Sequence, residues 1–242
     1  MRHRTTTESE AGGIAIARLV NHITETSATS TVRLLVVVEG INDIDFLRRV
    51  SRILHRNDAA LPDLADMEST GTVIFIPFGG SHIDVWSERL APLQIPEFHL
   101  YDHELPPETE QRYLAAERVN QRAGCRAVVT GKRSLENYLH PAAIAEVAGI
   151  DLQVDDFSNV AETAARELHQ LGLDDRPWAT ISRRARSRMS QRAKRWLNTR
   201  AVERMTVEYL REQDSAGEVT SWFLLINDLL NGCGNLSHHH SN

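Results

Sequence analysis

Two cysteines in 242 residues, Cys125 and Cys233, stand far apart and match no metal-ligand spacing. That excludes a disulfide framework and a cysteine metal site, and it fits a reducing cytoplasm. No apolar run approaches the roughly 18 residues that a membrane span requires. The opening MRHRTTTESEAGG is basic, then polar, without the apolar core of a secretory signal. No internal repeat is visible, and the closing SHHHSN is too short to be a metal site. A P-loop is missing too: Gly131-Lys132 lacks the upstream glycine and the Ser/Thr directly after the lysine. An overall excess of positive charge is also lacking. The formal charge is −6, so the total alone does not advertise nucleic acid.

What the chain does have is a regular alternation. Leu34–Val38 is a continuous apolar run of strand-favouring residues, short enough to be a strand buried on both faces. It ends in Glu39-Gly40, and Asn42 is positioned to cap a helix over 43–55 that turns Phe46, Leu47 and Val50 inward. A polar loop follows over 56–71. A second strand over 72–77 ends in Phe78-Gly79-Gly80, and a helix is expected over 81–90. Glu97–Tyr101 is a third strand, ended by Asp102-His103-Glu104; 107–121 is helical by pattern. A fourth strand over 126–130 leads through Gly131-Lys132-Arg133 into the short helix SLENYL. Strand and helix alternate four times, which predicts an α/β fold: a parallel sheet flanked by helices, ending near Gly149.

Residues 150–242 change character. No strand pattern appears, and helices are expected over 159–171, 182–198, 200–212 and 217–230. The division expected is a tail and helix over 1–30 (the helix over 14–26), the sheet domain over 31–149, and a helical C-terminal region over 150–242. Charge is unevenly spread. Between positions 183 and 204 nine cations face Glu203 alone, about +8, which leaves about −14 for the rest of the chain. Arg183, Arg184, Arg186, Arg188, Arg192, Lys194 and Arg195 have few acidic partners at helical spacing, so a phosphate-backbone contact is preferred over a solvated face.

The chemistry-bearing residues are acids at strand ends. In an open α/β sheet ligands bind at the carboxyl ends of the strands. Glu39, Asp102 and Glu104 stand there, and Asp43 follows one turn into the helix. Hard oxygen donors converging on one edge suit Mg²⁺ or Mn²⁺. Without a cation such carboxylates repel one another. One or two ions in such a site activate water for phosphodiester hydrolysis and stabilise the leaving oxygen. Gly79-Gly80 is either a tight turn or a backbone cradle for phosphate. His82, His99 and His103 read as structural, and Trp86, Trp178, Trp196 and Trp222 as packing residues.

VVVEGINDIDFL, with Glu39-Gly40, Asn42-Asp43 and Phe46, followed two strands later by Tyr101-Asp102-His103-Glu104, resembles the TOPRIM domain. That domain is shared by topoisomerases, bacterial primases, RecR-type proteins and OLD-family nucleases. GKRSLENYL, with Glu136-Asn137-Tyr138, is most similar to the OLD-type members. The resemblance spans about residues 33–140 and implies a Rossmann-like TOPRIM fold and a Mg²⁺-dependent nuclease. It implies metal binding or general acid/base work for Glu39, and metal binding for Asp43, Asp102 and Glu104. Glu136 and Lys194 are the candidates for the further acid and the lysine of such sites, with Arg192 or Lys132 as substitutes for the lysine. One departure stands out, because the family's Asp-x-Asp is Asp102-x-Glu104 here. By the same resemblance the partners are nucleic acid (DNA ahead of RNA), a separate ATPase subunit in phage defence, and other copies of the chain. A non-catalytic TOPRIM module and a ribonuclease of the TOPRIM type are the alternatives.

Overall fold

Four runs of five residues, rich in branched and aromatic side chains, form the sheet: β1 (Leu34–Val38), β2 (Val73–Pro77), β3 (Glu97–Tyr101) and β4 (Cys125–Val129). The structure, a computed structural model, describes residues 32–80, 82–172 and 176–232, so the helix expected over 14–26 lies outside the described residues. All pairings are parallel, in the order β2-β1-β3-β4. The two central strands are buried at every position, whereas β2 and β4 have exposed or half-buried positions. The chain adds β2 on one side of β1 and then crosses to add β3 on the other. The carboxyl ends of β1 and β3 therefore flank the point where strand order reverses, which is where open α/β sheets bind ligands.

Side chains alternate across β1 and build two apolar layers. Leu34, Val36 and Val38 pack with Phe46, Leu47 and Val50 of α1 (Ile41–Asn57). The same buried cluster takes in Ala193, Leu197, Trp222, Phe223 and Ile226 from the C-terminal helices. Leu35 and Val37 face the other way, onto Ile83 of α3 (Ile83–Arg89), Leu90, and Ala115, Ala116 and Val119 of α4 (Glu108–Asn120). Both faces of the sheet are thus covered by helices, as expected.

Several elements differ from expectation, each for a local reason. α1 starts at Ile41 with extended Gly40 at its cap, and Asp43 rather than Asn42 supplies the side chain, accepting the Gly40 N–H at 2.7 Å. The polar loop contains a short helix, α2 (Leu64–Ser69), because Asp63 accepts from the Ala65 and Asp66 N–H groups while Leu61 and Leu64 reach the core. α5 (Pro141–Ala148) follows β4, starting at a proline and ending at left-handed Gly149. Beyond it lie α6 (Val160–Leu171) and α7 (Arg183–Trp196). The continuous helix expected over 200–212 is broken. A π-helical turn, Leu197–Ala201, and a 3₁₀ turn, Val202–Arg204, end at extended Met205 and Thr206. Thr206 then caps α8 (Val207–Gln213) by accepting the Tyr209 N–H, and α9 (Glu218–Gly232) follows. Among the described residues no helix is long and apolar enough to cross a membrane.

Candidate metal centre

Glu39 leaves β1 where the chain turns at Gly40, and its Oε1 accepts a hydrogen bond from Nε of Arg112 on α4 at 3.0 Å and forms an ion pair with Nη2 at 2.9 Å. Asp102 leaves β3 fully inside the molecule. Glu104, two residues on, has left-handed backbone (φ 54), a conformation uncommon outside glycine. It is held there by its N–H donating to the Arg133 carbonyl at 3.0 Å, while His103 N–H donates to Thr130 Oγ1 at 2.9 Å. The turn brings the two acids to one side. Glu39, Asp102 and Glu104 each offer a carboxylate oxygen, all within 4.8 Å of one another.

A second set of acids adjoins the first through Asp102. Asp43, on the first turn of α1, and Glu136, on the 3₁₀ turn Leu135–Tyr138 after β4, are both buried. Between them comes Lys194 from the last turn of α7. Its Nζ lies 3.6 Å from Glu136, 3.8 Å from Asp102 and 4.0 Å from Asp43. Asn198, buried in the π-helical turn, donates one amide N–H to Glu136 Oε1 and another to the Lys194 carbonyl at 2.9 Å. Single π turns inside helices recur at functional sites, and here the turn sets Asn198 against Glu136.

The electrostatics are unbalanced. Five carboxylates converge with Lys194 and Arg112 as the cations that touch Glu39, Asp43, Asp102 or Glu136. Burial pushes Glu39 up to about 7; Arg112 opposes this, and Asp43 and Glu104 add to it. Burial likewise pushes Asp43 up to about 6, against Lys194 and with the help of Glu136. Asp102 is held well above the usual carboxylate range by burial, which Lys194 offsets and Asp43, Glu39 and Glu136 reinforce. Burial works against the charged form of Lys194, but Glu136, Asp102, Asp43 and Glu39 outweigh it and hold the ammonium above its ordinary range. One Asp43 oxygen, Oδ1, is buried without a hydrogen-bond partner. Hard oxygen donors, mutual repulsion and an orphaned carboxylate oxygen all fit a divalent cation at this edge.

The other sequence candidates lie as follows. Lys132 is turned away, with its Nζ on Asp156 and on the Gln213 carbonyl, both at 2.7 Å. Gly79 and Gly80 are both left-handed (φ 83 and 71); the Gly79 N–H donates to the Glu39 carbonyl at 2.9 Å. A Cβ on Gly80 would sit 3.6 Å from Glu39 Oε2, so the pair lets β2 end against the acid. On α7, Arg183, Arg184, Arg188, Arg192 and Arg195 are exposed, whereas Arg186 is half-buried, its Nε buried without a hydrogen-bond partner. None of the six joins the acid cluster. Arg112 and Asn198 are functional neighbours that sequence reasoning missed. Arg112 carried a signal, as a charged residue in line with Ala115, Ala116 and Val119 on the buried stripe of α4.

No protein-family model and no curated protein matches the chain. Among solved structures it is similar to the C-terminal region of the OLD protein of Xanthomonas campestris pv. campestris, in two structures. The first has 17% identity and a TM-score of 0.47, covering 87% of this chain and 99% of the other. The second has 18% identity and a TM-score of 0.44, covering 86% and 96%.

Proposed function

We propose that this chain is a divalent-metal-dependent nuclease that hydrolyses phosphodiester bonds, with DNA as the first substrate to test. The observation that carries the reading is the convergence of Glu39, Asp102 and Glu104 within 4.8 Å at the strand-order reversal. Glu39, Asp102 and Glu104 would hold a Mg²⁺ or Mn²⁺ ion, and Asp43 and Glu136 are the donors left for a second. Such an ion supplies a water nucleophile at neutral pH and Lewis-acid polarisation of the phosphoryl group.

The chain's own groups have separable duties. Lys194 keeps its proton throughout the physiological range, so it is a fixed positive charge for the phosphoryl oxygens and not a base. Glu39, raised to about 7 in the metal-free chain, would be ionised once it holds an ion and then serves as a ligand. Arg112 fixes the orientation of Glu39, and Asn198 that of Glu136. The arginines of α7 provide sequence-independent contact to the nucleic-acid backbone. The resemblance to OLD-type proteins extends the proposal to phage defence with an ATPase partner.

The test is incubation of the purified chain with plasmid, single-stranded DNA and tRNA, each with Mg²⁺, Mn²⁺ or EDTA. Cleavage that needs the ion and disappears in Glu39→Ala and Asp102→Ala supports the reading. An active double variant would refute it. Binding without turnover, lost when Arg183, Arg184 and Arg186 are neutralised, would identify a non-catalytic binding module instead.

A further inference from the structure

Next to the acids lie three touching rings that the proposed hydrolysis does not use. His103 sits between Asp102 and Glu104 in the chain. Its imidazole meets Tyr113 edge-to-face with centroids 6.0 Å apart, and Phe157 at 5.4 Å. Tyr113 is 53% exposed and Phe157 47% exposed. Large exposed apolar side chains scattered singly need no explanation, but these are contiguous and border the acidic cluster.

Each ring comes from a different element. His103 Nδ1 bonds the Glu104 carbonyl at 2.9 Å. Tyr113 follows Arg112, the residue that grips Glu39. Phe157 rides on a loop whose Asp155 carboxylate accepts the Phe157 and Ser158 N–H groups at 2.9 and 2.7 Å. Asn137, itself buried, ties that loop down by donating to the Asp155 and Ser158 carbonyls at 2.7 and 3.0 Å. A surface built this way loses little conformational freedom when it binds.

A ligand that presents a phosphate to the acid-held ion and a flat ring to the neighbouring surface is a nucleotide unit. Stacking on aromatic rings requires a base whose face is free, which a duplex does not offer without unpairing. We propose that His103, Tyr113 and Phe157 form a platform for an unpaired base beside the scissile phosphate, so that the chain selects single-stranded or locally opened nucleic acid. This rests on the nuclease reading and narrows its substrate class.

The experiment uses short oligonucleotides carrying 2-aminopurine, single-stranded or in a matched duplex, as DNA and as RNA, bound to the full chain with Ca²⁺ in place of Mg²⁺, so that the acids are occupied and binding is read apart from turnover. The expected result is quenching of the single-stranded probe, with affinity about 10-fold weaker in Tyr113→Ala and in Phe157→Ala, recovery in Phe157→Trp, and little change for the duplex. Quenching by single-stranded RNA as strong as by DNA supports the platform equally. Equal affinity for single strand and duplex, unchanged in the Tyr113→Ala/Phe157→Ala double variant, overturns it. Cleavage of the same oligonucleotides with Mg²⁺, but no quenching with Ca²⁺, removes the platform and leaves the nuclease. Quenching by a chain that never cleaves removes the nuclease and supports the platform.

Discussion

β3 carries a buried acid at each end, and the two have opposite fates. At the amino end Glu97 is 1% exposed and fully partnered. Arg122 grips it with two bonds of 2.7 Å and His99 Nε2 adds a third at 2.7 Å, with His99 Nδ1 passing on to Tyr101. Burial works against its charge, but the bonds from His99 and Arg122 prevail and hold Glu97 below the usual carboxylate range. At the carboxyl end Asp102 is equally buried, yet it shares Lys194 with two other acids and is held far above that range. One end has its charge satisfied internally. The other gathers more carboxyls than protein cations neutralise, so bound protons or a metal ion make up the difference, and a perturbed carboxylate in such a place is a candidate functional site.

The largest expected effect tests that contrast directly. Asp102→Asn should lower metal-dependent cleavage by at least about 10³-fold. The same change removes a poorly compensated buried charge, so the melting temperature in EDTA should stay level or rise. Glu97→Ala should do the reverse. It strands Arg122 and His99 and should cost on the order of 3–5 kcal/mol of stability in denaturant titrations. Residual folded Glu97→Ala should still cleave. If Asp102→Asn unfolded the chain while Glu97→Ala left its stability intact, the division of labour along β3 would be wrong.

A smaller effect appears in the pH dependence of the metal-free chain. The folded pKa of Glu39 is raised from 4.5 to about 7 and that of Asp43 from 3.8 to about 6. Between about pH 4 and 7 the folded chain therefore holds more protons than the unfolded one, and stability falls as pH rises through that window. The two rises together correspond to a loss of at most about 6 kcal/mol. Saturating Mg²⁺ binds only the ionised acids and should cancel the slope. Melts in EDTA that are flat across the window would contradict the crowding of these carboxylates.

How much of this was legible in the sequence follows from distance along the chain. β1 and β3 are unbroken apolar runs, and the acids that end them are sequence neighbours of those runs, so both strands and Glu39, Asp102 and Glu104 could be read directly. Arg112 and Asn198 could not be read that way, because their partners lie 73 and 62 residues away and only packing brings them together. The break at Met205 and Thr206, inside the helix expected over 200–212, was hidden for a different reason. Ala201, Val202 and Met205 keep helical spacing into it, so periodicity runs on where the backbone does not. α2 was masked by polar composition, although Asp63 is an ordinary cap for it.

The smallest predicted effect separates the two faces of α7. Arg184, Arg188, Arg192 and Arg195 recur at intervals of four, four and three, which places them on one outer side of the helix, while Lys194 at its inner end meets the acids. Neutralising Arg188 and Arg192 to Gln should leave stability and the ion requirement untouched, because no carboxylate among the described residues pairs with either. Binding should weaken uniformly across sequences, and the slope of log affinity against log salt should fall by about 2, one for each phosphate that is no longer neutralised. Lys194→Gln should show the converse pattern, with nearly unchanged salt dependence and a large loss of turnover. A Lys194→Gln variant that lost binding and salt slope but kept its rate per bound substrate would move the catalytic charge onto the outer arginines.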